Sequence, residues 1–142
     1  MRINQAQIEA LAGFRNALRR FLAFSEEATK AAGVTAQQYQ ALLAIKAWPR
    51  DDMTVGDLAD ELLLKAHGAG QLVDRLVALG MVQRTRSEAD KRSVCVSLTE
   101  KGDAAFQRLA TQHFLQLSKR KKQLADVVRQ LREIPQEGSE KL

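Results

Sequence analysis

The residues best suited to chemistry lie between positions 65 and 92. His67, Gln71 and Asp74 recur at i, i+4 and i+7, so they share one edge of a helix whose other side is apolar. A terminal amide such as that of Gln71 can donate to and accept from one adenine, and the His67 ring can meet a base edge or a phosphate. Lys65, just ahead of this helix, has the reach for a phosphate. Further on, Arg84, Arg86, Lys91 and Arg92 place four cations in a stretch with little apolar surface to bury them. An arginine at such a tip suits the narrow, strongly negative minor groove of an A·T-rich duplex. Base-edge readers beside a cationic finger point to a nucleic-acid partner. Gly68 and Gly70 interrupt the reading helix at a cost of about 1 kcal/mol each relative to alanine. Either they let the backbone approach a groove closely, or base reading in this chain has weakened. Asp90 cannot touch phosphate favourably. It either holds one of these arginines, in one ion-pair network with Asp74 and Arg75, or forms a turn.

The remaining reactive side chains are poorly placed for catalysis. Cys95 is expected to face away from the buried side of its strand, and no cation flanks it to stabilise a thiolate. His67 and His113 fall on different elements with no cysteine nearby, which argues against zinc. No Ser-His-Asp or paired-carboxylate arrangement and no glycine-rich phosphate loop is present. The expectation is a protein with no metal, no cofactor and no enzymatic activity.

These residues need elements to position them. Thr54 with Asp57 three residues on reads as a capping box, and Val55, Leu58, Ala59, Leu62 and Leu63 follow at helical spacing. A link around Lys65–Ala66 leads to the reading helix, whose buried set is Ala69, Leu72, Val73 and Leu76. Gly80 ends it, being free to turn left-handed. The period then changes from 3.6 to 2. Val94, Val96 and Leu98 alternate with Ser93, Cys95 and Ser97, Met81–Arg86 supplies the facing strand, and Ser87–Arg92 is the polar tip between them. Met53 is placed to form a one-residue strand against this hairpin. Helix, turn, helix and charged hairpin make a winged helix-turn-helix, mainly α with a small β-hairpin wing.

On either side lie longer helices. Residues 4–32 carry Ile8, Leu11, Phe14, Leu18, Phe21 and Leu22 as an apolar stripe, with Arg15, Arg19 and Arg20 mostly beside it, and Gly33 ends the pattern. A stripe this long needs a surface to lie against: the chain's own C-terminal helix, a second subunit, or both. Thr35 with Gln38 forms a second capping box ahead of a helix to Ala47, with Tyr39, Leu42 and Leu43 inward and Trp48-Pro49 as its break. Thr99 caps a helix from Glu100. Ala105, Phe106, Leu109, Ala110, His113 and Leu117 keep its spacing, with His113 a packed or interface histidine. Leu124, Val127, Val128, Leu131 and Ile134 continue to Pro135. One helix or two can satisfy 100–134. A break would make Ser118 the new cap and put Lys119-Arg120-Lys121-Lys122 at a helix N-terminus, where positive charge is unfavourable. That conflict leaves a continuous helix or a basic cluster with an anionic partner. Residues 136–142 read as a disordered tail.

Composition bounds the rest. A chain of 142 residues with net charge +5 and pI near 9.7 is one domain suited to a polyanion. It has no apolar run of membrane-spanning length, its amphipathic N-terminus is not a signal sequence, and its one cysteine fits a reducing cytoplasm.

The segment from Thr54 to Gly102 resembles the MarR family of bacterial transcriptional regulators. The resemblance rests on Leu72–Leu76 (LVDRL), the Asp90-x-Arg92 wing tip, and Val96-Ser97-Leu98-Thr99 leading to Lys101-Gly102. The departure is at Gly68, Gly70 and Gln71, where the family commonly has Ser or Thr and often a basic residue. The resemblance implies a cytoplasmic homodimeric repressor in which residues 1–34 and 100–135 interleave with a second subunit and residues 35–99 form the DNA-binding lobe. Its double-stranded operator is pseudo-palindromic, and Arg92 or its neighbour Lys91 is the minor-groove finger. Thr54, Lys65, His67, Gly68, Gly70, Gln71, Arg75, Arg84, Arg86, Lys91 and Arg92 are the candidate DNA contacts, with Asp74 and Asp90 as ion-pair support. Release is expected from a small aromatic or phenolic effector. Phe14, Tyr39 and Trp48 are candidates for its pocket and equally for the core. The competing class is a winged-helix protein-interaction module whose glycine-rich helix no longer reads DNA.

Overall fold

Elements follow one another as α1 (Gln5–Ala31), α2 (Ala36–Ala47), α3 (Val55–Leu62), α4 (Ala66–Ala78), β1 (Val82–Arg86), β2 (Val94–Leu98), α5 (Glu100–Ser118) and α6 (Lys121–Arg132). The structure is a computed structural model and describes residues 1–87 and 92–135; Asp90, Lys91 and the tail expected at 136–142 lie outside the described residues. The architecture is mainly α with a small β wing. The chain forms two compact units, residues 26–112 and residues 1–25 with those from 113 onward, so the division runs within α1 and within α5.

In the unit of residues 26–112, both capping boxes form. Thr35 Oγ1 accepts from the Gln38 N–H at 3.0 Å while Gln38 Oε1 accepts from the Thr35 N–H at 3.0 Å. Thr54 and Asp57 exchange the same pair of bonds at 3.1 and 3.0 Å. Each box satisfies two donors that a helix start leaves open. The apolar faces so aligned meet in one core built around Leu42, Leu58, Val73, Leu76, Val96 and Leu109. Ala69, Leu72, Val73 and Leu76 are the buried set of α4, as the spacing predicts. Lys46 on α2 reaches Asp103 on α5 at 2.8 Å, and this bond holds the Asp103 carboxyl below the usual carboxylate range.

β1 and β2 pair antiparallel from Val82 opposite Leu98 to Arg86 opposite Val94. The expected one-residue strand is present: the Val96 N–H donates to Met53 O at 2.8 Å, and Thr54 bridges Cys95. That third strand corrects the reading of Cys95, which is buried, while Val94 is exposed. β2 runs between β1 and the Met53–Thr54 segment, so both its edges are paired there, and Cys95 and Val96 are both buried while Leu98 is half-buried. Three further expectations need correction. Leu43 is exposed because α2 turns its 38/41/42/45 stripe inward. Leu63 is 92% exposed because it closes α3 in the left-handed conformation, φ 56°, and leaves the helical face. Its neighbour Leu64 packs on the core instead, with its N–H on Ala59 O at 2.8 Å. The link before α4 is therefore 63–65, with Lys65 as its N-cap.

The start of α5 ties the end of α4 in place. Gly80 turns with φ 74°. The Thr99 hydroxyl donates to Gly80 O at 2.6 Å and accepts from the Gly102 N–H at 3.0 Å. Lys101 Nζ donates to Leu79 O at 2.8 Å, placing a cation on the negative end of α4. A Cβ on Gly102 would stand 1.9 Å from Met81 O, so only glycine lets α5 approach the root of the wing this closely.

In the unit of residues 1–25 and 113 onward, His113 is buried, with its Nε2 2.8 Å from Ser25 Oγ. Phe21 and Phe24 meet its ring edge-on at 5.6 and 5.4 Å. This is the packed histidine anticipated from its position on an apolar stripe. α5 and α6 are separate helices: Arg120 is the N-cap of α6, and Ser118 is not the cap, because its hydroxyl bonds back to Leu115 O. Ile8, Leu11, Phe14 and Leu22 of α1, Phe114 and Leu115 of α5, and Val128 and Leu131 of α6 are exposed.

Candidate nucleic-acid interface

Ala69, Leu72, Val73 and Leu76 of α4 are taken up by the lobe core, which leaves its outward side for anything else. On that side His67, Gln71, Asp74 and Arg75 are all exposed. Because the four buried residues fix the rotation of α4, they also fix the direction of this side. Lys65 is exposed at the N-terminus of α4, where four backbone N–H groups start without partners inside the helix. Thr54 is half-buried, and its hydroxyl is engaged by Asp57.

Gly68 and Gly70 lie in the first two turns of α4, and a Cβ at either would meet no heavy atom within 4 Å. Neither has the positive φ of Gly33 or Gly80. The interior of the lobe therefore gives no reason for glycine at either position. Whatever favours it acts from outside the lobe, or nothing does.

Asp74 on α4 and Arg84 on β1 form an ion pair at 2.5 Å. This ties the wing to α4 and neutralises an exposed acid on its outer edge. The sequence placed Asp74 in one ion-pair network with a wing arginine, Asp90 and Arg75. In the structure the wing arginine on Asp74 is Arg84, which approaches it because the hairpin folds back beside α4. Arg86 and Arg92 are exposed on the wing. Lys91 and Asp90 lie outside the described residues.

The three aromatic pocket candidates have separate surroundings. Tyr39 is a core residue of the lobe, stacked on Phe106 with ring centroids 6.3 Å apart, and burial pushes its hydroxyl above the usual phenol range. Trp48 donates its Nε1–H to Asp52 at 2.9 Å and lines a cleft of about 520 Å³ with Ala44, Pro49 and Glu61. Phe14 belongs to the other unit. A larger cleft, about 870 Å³, lies where Lys30, Val34, Thr35 and Gln38 face Arg75 and Leu79 at the end of α4. Sequence reasoning missed it, since it is assembled from a helix end, a corner and a distant helix. It also gave no physical role to Lys101 and Gly102, which brace α4 from behind.

Residues 32–93, which contain α2, the capped α3 and the whole of α4, match the model of the MarR family. Over these 62 of its 142 residues the chain is similar to the MarR family. An organic hydroperoxide resistance transcriptional regulator of Bacillus subtilis is 38% identical over 69 residues, which cover 49% of this chain and 46% of that protein. The chain spans about half the length of the relatives it matches by sequence. Among solved structures, a MarR family protein from Bacillus stearothermophilus superimposes with a TM-score of 0.73 at 23% identity, covering 93% of this chain and 95% of that one. A mutant MarR from E. coli complexed with operator DNA gives a TM-score of 0.66 at 23% identity over 86% and 91% of the two chains. Both likenesses concern the fold.

Proposed function

We propose that this chain is a homodimeric, sequence-specific DNA-binding regulator of the MarR family, a repressor released by a small aromatic effector. The observation that carries the reading is the outward edge of α4, bearing His67 and Gln71, locked beside the wing through Asp74 and Arg84. A helix so presented fits the major groove, and a wing so fixed reaches the flanking minor groove. The exposed apolar residues of α1, α5 and α6 support a second subunit, since water is a poor neighbour for faces of that size. Two lobes then bind together, and affinity depends on both fitting at once. The cleft at the end of α4 has the volume for a small effector and adjoins the helix that reads DNA.

Selection of preferred duplexes from random DNA tests this reading. The expected product is a pseudo-palindrome with half-site centres about one helical turn apart. A pool with no preference at physiological salt would overturn it in favour of a protein-interaction module. Within the selected site, Gln71→Ala is expected to relax preference at one base pair per half-site by about 1–3 kcal/mol. Equal losses on every sequence would make Gln71 a backbone contact. Arg92→Ala is expected to lower the slope of log affinity against log salt by about one per lobe. An unchanged slope would remove Arg92 from the interface.

A further inference from the structure

The net positive charge of this protein does not come from the unit that carries α4 and the wing. Residues 26–112 hold eleven Lys and Arg against twelve Asp and Glu, a net charge of −1. Residues 1–25 and 113–142 hold eleven against five, a net charge of +6. Two acid-free runs carry much of it: residues 10–25, with Arg15, Arg19 and Arg20, and residues 113–125, with Lys119 to Lys122.

The structure brings these runs together. Asn16 Oδ1 accepts from Arg20 Nε on its own helix at 3.2 Å and from Gln123 Nε2 in the first turn of α6 at 3.3 Å. Gly13 faces the same Gln123 side chain. That contact brings the turn of α1 that carries Arg20, with Arg19 next to it in sequence, up to the first turn of α6, which the four cations open. The nearest acid of α6, Asp126, is held by Arg129 at 2.7 Å and stands 3.8 Å from Lys122, whose side chain is 92% exposed. Among the described residues, Arg19, Lys119 and Lys121 have no acidic partner and are exposed. Arg120 Nε is buried with no hydrogen-bond partner among them. α6 thus begins with cations, no acid in its first turn and no side-chain cap, the reverse of what helix stability favours. A local rule broken this consistently marks a surface kept for another purpose.

We propose that Arg19, Arg20 and Lys119–Lys122 form a second polyanion-binding surface, taking the phosphate backbone of duplex DNA without regard to sequence. The lobe would then supply base preference, and the terminal helices most of the electrostatic affinity and its salt dependence. The inference rests on the DNA-binding reading only for the identity of the polyanion.

The test uses the full chain and a fluorescent 40-base-pair duplex of random sequence, titrated between 50 and 200 mM salt. Lys119→Gln/Lys121→Gln/Lys122→Gln is expected to bind at least tenfold more weakly at 50 mM. Its salt slope should fall by about two to three, one for each phosphate left without its cation. Its preference for a selected site over random duplex should not change. Arg19→Gln, on the other helix, should lower the slope by about one. The substituted side chains are exposed, and a thermal melt no lower than wild type confirms that folding is intact. Unchanged slopes in both variants would overturn the proposal. So would loss of binding to poly-glutamate with duplex binding intact, which would make an acidic protein segment the partner. If wild type shows no base preference yet the triple variant still loses its slope, the regulator reading fails and this surface stands.

Discussion

Gly102→Ala is expected to destabilise the lobe by about 3 kcal/mol, the upper end of ordinary overpacking, and to lower the melting temperature by roughly 10 °C. The added Cβ would lie 1.9 Å from Met81 O and 2.8 Å from Met81 C, inside any permitted contact with backbone atoms. Neither party can yield cheaply. Met81 opens the wing, and its carbonyl already accepts the Thr99 N–H at 3.0 Å. The first turn of α5 is held by Thr99 and Lys101, both bonded to the end of α4. Retreat of α5 therefore breaks the brace behind α4, and on the proposed function DNA binding should fall with stability. Urea denaturation followed by the fluorescence of Trp48, the single tryptophan, measures the loss. Gly56→Ala is the control, because its Cβ would meet only Thr54 Oγ1 at an ordinary 3.7 Å. Equal midpoints for wild type and Gly102→Ala would show that the close approach is not required.

Gly68→Ala and Gly70→Ala are expected to move stability and DNA affinity in opposite directions. Each adds a methyl group into open space on α4. Each should therefore stabilise the fold by about 1 kcal/mol, the difference in helix propensity. If the backbone of α4 approaches base edges at these positions, the same methyl groups meet the duplex. The double variant should then melt several degrees higher and bind its selected site at least tenfold more weakly. Higher stability with undiminished affinity would mean that the glycines serve no approach, and that reading has weakened at this end of the helix. A drop in stability would contradict the geometry of α4 itself.

Order along the chain was enough to read the parts of this protein that near neighbours control. Both capping boxes, the four buried residues of α4, the left-handed turn at Gly80 and the change to period two in the wing are local. A side chain three or four residues away decides each of them. The outward edge with His67 and Gln71 was legible for the same reason, being the complement of a buried stripe. Folding in three dimensions settled what depends on meetings between distant segments. Cys95 became buried when Met53 and Thr54 paired with β2. Asp74 found Arg84 once the hairpin lay beside α4, and Gly102 became obligatory where α5 crosses Met81. The division of charge between the two units belongs here too, since the chain's total of +5 holds no record that residues from both ends would gather into one basic body. Periodicity reports which way a side chain faces from its own helix or strand. What it faces is set by packing, and packing is where the partners of this chain's ions, strands and glycines were chosen.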